Sequence, residues 1–485
     1  MPIALERKLL KRRRTKIVAT VGPSSAEPSM LQRLIDAGVN VFRLNMSHGE
    51  QDGHRNAYSM IREAARAAGN DVGVLADLCG PKIRCGRFEG GRAELQTGST
   101  VTVTIRDVVG NSFLIPSQYR EIASDVGPGS RILLDDGNLE LRVERTEGPD
   151  LRCVVIQGGM LKDRKGINLP DSNVSAPSLT DKDRADALFA LDLGVDFLAL
   201  SFVRRADDVA ELRKVIEGHS GAGISIIAKI EKPQALEQIE EIIDVADGIM
   251  VARGDLGVEM PAEAVPIIQS ELIDLTRSRG KPVIVATQML ESMIGNPRPT
   301  RAEVSDVSTA VLAGADAVML SAETASGTFP VNAVRTMDQI VRQTEAFLWN
   351  HGAFRFVSQR PEADPPLEMP DALAKATAQL SRDLRVRAIF VLSRTGLTAR
   401  LVSSSRPAAP VIAVSPEGRT ARVMQLFWGV VPSTASPEEL ENPGALARRL
   451  AQQYGLAAAG DRILRVSGFH LDGDLNIPAI SVLTV

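Results

Sequence analysis

Three cysteines, Cys79, Cys85 and Cys153, are all that 485 residues contain. So few thiols cannot staple a chain of this length, and with no CxxC or Cys/His cluster a zinc site is excluded too. Charge of one sign is equally lacking: Lys plus Arg total 56 against 60 Asp plus Glu, a net charge of −4. That balance gives no global field for gripping DNA or RNA, so any bound anion must be held by a local site. No apolar run approaches the ~20 residues that a membrane span needs. The basic opening MPIALERKLLKRRRTK has no apolar stretch behind it, unlike a secretory leader. Its run Lys11 to Arg14 lacks interleaved aromatics and reads as a solvated lead-in to the first strand. A cytoplasmic protein with neither nucleic-acid nor membrane partners is the expectation.

What is present is the balance of an ordinary globular protein, 44% hydrophobic and 24% charged, with length for about three domains. From Lys16 onward one unit recurs: a short β-branched run, a polar or Gly cluster, then a helical pattern. The runs are KIVATVG (16–22), VNVFRLNMS (39–47), VGVLADL (72–78), VDFLALSFV (195–203), SIIAKIE (225–231), GIMVARGDLG (248–257), KPVIVATQ (281–288) and AVMLSAET (317–324). Helical patterns lie between them, among them 28–38, 181–194, 233–245 and 261–280, with Pro233 and Pro261 suited to a first helical turn. Strands alternating with helices demand a parallel sheet, and eight of them close a (β/α)8 TIM barrel. No G-x-G-x-x-G opens the first helix, which argues against a dinucleotide-binding sheet.

The pattern breaks twice. Between about Gly80 and Ser178 strand-like alternation replaces helical periodicity, in STVTVTIR (99–106), RILLDDGNLELRVER (131–145) and LRCVVIQGG (151–159), with Asp136-Gly137 as a hairpin signal. An inserted β-barrel-like domain in a βα loop would sit over the barrel's C-terminal mouth as a lid. The second break, polar and carrying Pro361, Pro365, Pro366 and Pro370, reads as a linker before a separate α/β domain. The expected division is 1–80 and 179–351 for the barrel, 81–178 for the lid, 352–369 for the linker and 370–485 for the C-terminal domain.

In a barrel the C-terminal strand ends converge on one site. Here they carry Thr20, Arg43, Asn45, Ser47, His48, Asp77, Ser201, Lys229, Glu231, Arg253, Asp255, Thr287, Gln288, Ser321 and Glu323. Lys229 and Glu231 are two apart, so both point to one face of an otherwise apolar strand. So many charges are tolerable there only if they pair with one another, a metal or a charged ligand. Glu231 and Asp255 are hard oxygen ligands suited to Mg²⁺ or Mn²⁺. Arg43, Arg84, Lys229 and Arg253 suit phosphate and carboxylate, and RGDLGVE (253–259) reads as a turn leading into a helix whose free N–H groups could hold a small carboxylate. Metal, lysine and anion nest together point to phosphoryl transfer. No Ser-His-Asp or Cys-His arrangement competes with that reading.

These stretches resemble the pyruvate kinase family from about Thr15 to Val485. The matching motifs are TKIVATVGPSS (15–25), VFRLNMSHG (41–49), DLCGPKIR (77–84), KGINLP (165–170), SFVR (201–204), AKIEKPQAL (228–236), IMVARGDLGVE (249–259), ATQMLESMIGNPRPTRAEVSDV (286–307) and MLSAET (319–324). The resemblance implies a barrel with an inserted lid and a C-terminal regulatory domain, a homotetramer, and transfer of the phosphoryl group of phosphoenolpyruvate to ADP, giving pyruvate and ATP. It implies that Lys229 stabilises the phosphoryl group in flight and that Glu231 and Asp255 ligate Mg²⁺. The backbone N–H groups of Gly254 and Asp255, with Thr287, would hold the substrate carboxylate, and Arg43 its phosphate. Arg84 and Lys165 would meet the nucleotide phosphates, with Thr20, Pro23, Asn45 and His48 nearby, while Ser321 and Glu323 order a hydroxyl and water network.

Two departures from the family pattern matter. Many members hold a K⁺ ion in a stretch reading D-T-K-G-P-E-I-R, where this chain has Asp77-Leu78-Cys79-Gly80-Pro81-Lys82-Ile83-Arg84. Asn45, Ser47 and Asp77 remain, but Lys82 stands where the pattern has Glu, and its ammonium can supply the missing positive charge. Activity without K⁺ is therefore expected. In the C-terminal domain Ser393, Arg394, Thr395, Gly396 and Thr398 follow an apolar run and open a helix, a layout for the phosphate of a sugar-phosphate or AMP effector. Leu397 replaces the usual Arg there, and the loop 468–478 lacks the Gly-rich character of many regulated members. Rival readings are a metal-dependent barrel lyase acting on pyruvate or oxaloacetate, and a non-catalytic binding protein on a retained barrel.

Overall fold

The structure, a computed structural model, describes residues 10, 12–219, 223–358, 367–467 and 477–485. Its first three strands are β1 (Lys16–Thr20), β2 (Val41–Asn45) and β3 (Gly73–Asp77). An inserted unit follows, with β4 (Arg92–Leu95), β5 (Thr100–Thr104), β6 (Leu114–Pro116), β7 (Arg131–Leu134), β8 (Leu139–Glu147), β9 (Asp150–Gln157), β10 (Gly159–Lys162) and β11 (Ile167–Asn168). The chain then supplies β12 (Phe197–Leu200), β13 (Ser225–Ile230), β14 (Gly248–Ala252), β15 (Val283–Ala286) and β16 (Ala317–Leu320). The first three and last five of these close into one parallel barrel in the order β1-β16-β15-β14-β13-β12-β3-β2, with Lys16 beside Ala317 sealing it. The strands are apolar almost throughout because both faces are covered, one by the barrel interior and one by the outer helices.

Helix boundaries follow local chemistry. Thr180 and Thr300 begin helices Asp181–Leu193 and Arg301–Ala313 with capping boxes to Asp183 and Glu303, and a left-handed glycine, Gly194 or Gly314, ends each. Three expectations shift. The helix expected from Pro261 begins at Val265, with Pro266 in its first turn, because residues 261–264 form a separate turn. The 233–245 segment is two helices, Pro233–Glu237 and Ile239–Val245, broken where Gln238 adopts φ −123° and ψ 29°. The run 248–257 is strand only to Ala252, and RGDLGVE (253–259) is helical from its first residue, with no intervening turn.

The inserted unit is a six-stranded sheet in the order β11-β7-β8-β9-β5-β6, plus the pair β10-β4. Its β7–β8 hairpin turns through Asp135 to Asn138, with positive φ at Asp135, Asp136 and Gly137. Asp and Gly are suited to that conformation. The C-terminal sheet has the order β19 (Val430–Thr434), β18 (Val411–Ser415), β17 (Ile389–Leu392), β20 (Arg462–Ser467) and β21 (Ala479–Thr484), with only β21 antiparallel. The Pro-rich part of the expected linker at 359–366 and the loop residues 468–476 lie outside the described residues, as do Lys11 and residues 1–9.

The C-terminal sheet caps the end of the barrel opposite the catalytic mouth. Asp196, just before β12, accepts from Arg422 Nε at 2.8 Å and Arg62 Nη2 at 2.7 Å, and Arg406 Nη1 meets Asp316 Oδ1 at 2.9 Å. Lys16 donates to the Val430 carbonyl at 2.6 Å. Burial first, then Arg13 and Arg12, push its pKa down to about 7, with Glu345 opposing. An unfolded lysine titrates near ~10.4, so between about pH 7 and 10 the unfolded chain binds the extra proton and stability rises with pH. Lys16→Met is expected to flatten that rise in thermal midpoint; parallel curves for parent and variant would contradict it.

Candidate active site

The site begins with Lys229. It is the penultimate residue of β13 and only 9% exposed, yet it carries a charge. Its Nζ lies 3.2 Å from Asp77 Oδ1 and 3.0 Å from Glu231 Oε1, and donates to Ser201 Oγ at 2.7 Å. Burial alone would drive the proton off; Asp77 and Glu231 outweigh it and hold the pKa above the ordinary lysine value. Asp77, at the end of β3, is held below the usual carboxylate range: burial opposes ionisation, but Lys229 and then Arg43 overcome it. Arg43 Nε contacts Asp77 Oδ2 at 2.6 Å, and its Nη1 donates to Thr20 Oγ1 at 3.1 Å. The ends of three strands, β2, β3 and β13, thus form one ionic chain, with Ser201 after β12 bonded to it.

Glu231 lies one residue past β13 and accepts from the Phe202 N–H at 2.7 Å. Burial raises its pKa, Lys229 works against that, and Asp255 adds to it. Asp255 shares with Glu231 a cavity of about 90 Å³, also lined by Arg43, Asp77, Lys229 and Thr287. Asn45, Ser47, Cys79 and Lys82 also line it, so the expected cation-site residues open onto the same space. Asn45 Oδ1 accepts from the Ser47 N–H at 3.2 Å.

Thr287 follows β15 with φ +67°, an outlying conformation for a β-branched residue. Its hydroxyl accepts from the Gly254 N–H at 2.7 Å and donates to the Ala286 carbonyl at 2.6 Å. Arg253, expected to add charge at the mouth, instead turns to Asp306 at 2.6 Å and the Thr287 carbonyl at 2.7 Å. It braces the strained turn. Glu323 places its oxygens on the N–H groups of Leu290 (3.1 Å) and Ser321 (2.6 Å), and burial raises its pKa. Ser321 Oγ is buried.

The remaining expected residues sit around the rim. Thr20 Oγ1 donates to the Leu320 carbonyl at 2.9 Å, and Pro23 lies in the turn after β1. His48 stands among cations; burial and then Lys82, Arg84 and Arg43 lower its pKa. From the lid, Arg84 Nη1 donates to the Arg164 carbonyl at 3.0 Å and Lys165 pairs with Asp135 at 2.6 Å. The five effector candidates lie far from this rim, after β17. Ser393 Oγ accepts from the Ala399 N–H at 3.4 Å, and the Arg394 carbonyl accepts from Thr420 Oγ1 at 3.1 Å. Thr395 and Gly396 face a cavity of about 180 Å³ against Phe197 and Pro282 of the barrel, and Thr398 lies in the helix Leu397–Ser404 that follows.

Sequence reasoning gave no role to Asp306, Phe202 or Gly80. Gly80, where the chain leaves the barrel for the lid, has φ +68°, and a Cβ there would lie 2.6 Å from Phe202 Cδ2 and 3.0 Å from Ser201 Cβ. Gly80→Ala is expected to lower stability by about 1–3 kcal/mol and to reduce turnover by displacing the hydroxyl that holds Lys229. Urea midpoints and kcat check this; a variant equal to the parent in both would contradict it.

A closed (β/α)8 barrel with a lid over its mouth, and a buried lysine between carboxylates at the strand ends, defines a barrel enzyme built for anionic substrates. Residues 12–334 match the family model described as pyruvate kinase, barrel domain, and residues 371–481 that described as pyruvate kinase, alpha/beta domain. The chain is 44% identical over 478 residues to a pyruvate kinase of Methylorubrum extorquens, covering 97% of this chain and 98% of the relative. It is 40% identical over 463 residues to one of Clostridium perfringens, covering 94% and 96%. A crystal structure of a pyruvate kinase from Cryptosporidium parvum superposes with a TM-score of 0.91 at 37% identity, covering 98% of each chain. The chain belongs to the pyruvate kinase family and is a phosphotransferase.

The family generally works with a divalent metal. The residues present fit such an ion. Glu231 and Asp255 share one cavity, and burial and then the charge of Asp255 raise the Glu231 pKa, a cost that a cation would relieve. Among the described residues no group of three or more His, Cys, Asp or Glu is gathered as a metal cage. Two carboxylates, with other positions left to water and substrate oxygens, suit Mg²⁺. Among those residues, no helix is long and apolar enough to cross a membrane.

Proposed function

We propose that this chain transfers the phosphoryl group of phosphoenolpyruvate to ADP, giving pyruvate and ATP in glycolysis, through the constellation centred on Lys229. The observation that carries the reading is the Lys229 ammonium, kept charged inside the barrel mouth by Asp77 and Glu231 and fixed by Ser201. In the reaction the bond between phosphorus and the enol oxygen breaks, and a β-phosphate oxygen of ADP forms the new bond to phosphorus. The enolate left behind takes a proton at its methylene carbon. Lys229 and Arg43 offset the charge of the moving phosphoryl group, and their prior orientation removes the need to reorganise during transfer. The backbone N–H groups of Gly254 and Asp255, with Thr287, hold the carboxylate, and the Thr287 hydroxyl lies by the methylene carbon. Ser321 and Glu323 order the hydroxyls and waters behind it.

Glu231 and Asp255 would hold Mg²⁺, or Mn²⁺, which supplies charge neutralisation to substrate oxygens when bound. Thr20, Pro23, Asn45 and His48 receive the nucleotide from the barrel side, and Arg84 and Lys165 from the lid. The setting of His48 supports this: after burial, the cations Lys82, Arg84 and Arg43 lower its pKa, and they gather where phosphates would lie. Lys82 replaces K⁺ beside Asn45, Ser47 and Asp77, supported by the cavity they all line.

The same reading takes 1–80 with 179–351 as barrel, 81–178 as lid, 352–369 as linker and 370–485 as regulatory domain, in a cytoplasmic homotetramer. A sugar phosphate or AMP would bind at Ser393, Arg394, Thr395, Gly396 and Thr398. Thermal shifts with such ligands are expected for the parent and not for a Thr395→Ala/Thr398→Ala double variant; equal shifts would remove that loop. The activity itself is tested by coupling pyruvate release to phosphoenolpyruvate, ADP and Mg²⁺. Pyruvate formed only when ADP is present is expected. Release from phosphoenolpyruvate without ADP would mean transfer to water instead, release from oxaloacetate alone would favour the lyase, and no release a binding protein.

A further inference from the structure

The helix that carries Asp255 also meets the lid, and one buried carboxylate makes the connection. Helix Arg253–Glu259 starts directly from β14, and Glu259 lies four residues beyond Asp255, one turn along. Glu259 is buried, and its Oε1 accepts from Asn168 Nδ2 of lid strand β11 at 2.9 Å. The same oxygen pairs with the ammonium of Lys232, the residue after Glu231. Beside this contact the lid hairpin rests on the helix so closely that a Cβ on Gly137 would lie 3.6 Å from Val258 Cγ1. Lid and barrel enclose there a cleft of about 60 Å³ lined by Asp136, Asn168, Lys232 and Asp255.

We propose that Glu259 is a positioning residue that ties closure of the lid, through Asn168, to the placement of the two acids Glu231 and Asp255. One carboxylate oxygen receives both the lid's amide and the chain neighbour of Glu231, and it belongs to the helix of Asp255. When the lid lifts, the amide leaves and the carboxylate keeps only Lys232, so the helix end loses a partner. When the lid closes, the contact is restored and the acids are braced from both directions. Glu259 touches no reacting atom in this scheme. It acts by setting the closed fraction, and a ligand that needs the closed state binds with an affinity scaled by that fraction.

The proposal rests on the phosphoenolpyruvate–ADP reading above, and its test separates the two. Asn168→Ala is expected to raise the KM for ADP at least threefold while kcat, measured at saturation where ligand forces closure, changes less than twofold. Asn168→Asp sets two carboxylates against each other and is expected to raise that KM further. Asn168→Asp combined with Glu259→Gln exchanges amide and carboxylate across the contact and leaves Lys232 a carboxylate neighbour; its KM is expected to return to within threefold of the parent. A double variant no better than Asn168→Asp, or Ala and Asp variants that behave alike, would overturn the proposal. Hydrogen exchange at residues 253–259 reads the latch without turnover. Faster exchange in Asn168→Asp, reversed in the double variant, supports it even if no pyruvate forms, and unchanged exchange overturns it.

Discussion

Lys229→Met is expected to lower turnover by at least about 10²–10³-fold, the loss of about 3–4 kcal/mol that follows removal of one preoriented charge contact. The geometry explains why so much rests on a single ammonium. Its charge is held by Asp77 at 3.2 Å and Glu231 at 3.0 Å, and its direction by Ser201. Methionine matches its bulk but leaves Glu231 buried without its cation and Asp77 with Arg43 alone, a change of the kind that destabilises by about 3–5 kcal/mol. The assay therefore needs circular dichroism at the same temperature and substrate protection measured alongside. Lys229→Arg keeps the charge and the pairing while spreading it over a planar fork, so it separates loss of fold from loss of chemistry. The account expects folded protein, measurable phosphoenolpyruvate binding and collapsed turnover for Met. Turnover within tenfold of the parent would remove Lys229 from the reaction.

Lys82→Glu is expected to make an enzyme active without K⁺ into one that needs it. The parent should run in K⁺-free buffer at a rate that added KCl changes little, relative to tetramethylammonium chloride at equal ionic strength. The variant should lose about tenfold or more in K⁺-free buffer, equivalent to about 1.4 kcal/mol of barrel-mouth electrostatics, and regain it with KCl. The reason is local: Lys82 lines the same cavity as Asn45, Ser47 and Asp77, and its charge, with burial, acts on His48. Replacing it with a carboxylate removes one cation and adds an anion that only a bound ion can offset. Strong KCl stimulation of the parent, or a variant indifferent to KCl, would contradict the account.

Much of the fold is legible because its signals are local and repeated. Eight β-branched runs separated by helical patterns give the barrel by count, and Asp136-Gly137 marks the hairpin that β7 and β8 form. The spacing of Lys229 and Glu231 is enough to bring their side chains together, because alternate residues share a strand face. Local signals also misplace detail. Pro261 looks like a helix start, but Pro266 supplies it, since a turn intervenes. Gln238 interrupts a continuous helical pattern with no Gly or Pro to announce it.

What stays hidden depends on partners far apart in sequence. Arg253 sits in a motif that promises charge for the substrate, yet Asp306, in another helix, claims its guanidinium. Glu323 lies among reactive-looking residues while its oxygens satisfy two backbone N–H groups. The positive φ of Thr287 arises from a turn braced by Gly254 and Arg253, and no residue type at that position signals it. The contact of Asn168 with Glu259 joins an inserted domain to a barrel helix, a pairing that no periodicity encodes.

The most direct test of the central claim is Mn²⁺ binding followed by electron paramagnetic resonance, which needs no turnover. If Glu231 and Asp255 form one cation pocket beside Lys229, the parent binds one Mn²⁺ per chain at this site. Glu231→Gln and Asp255→Asn should each weaken it by at least about tenfold, the loss that even an outer partner of a metal site brings. Affinity unchanged in both variants would show that the two acids serve no common ion, and the chemistry assigned to this barrel mouth would fall with it.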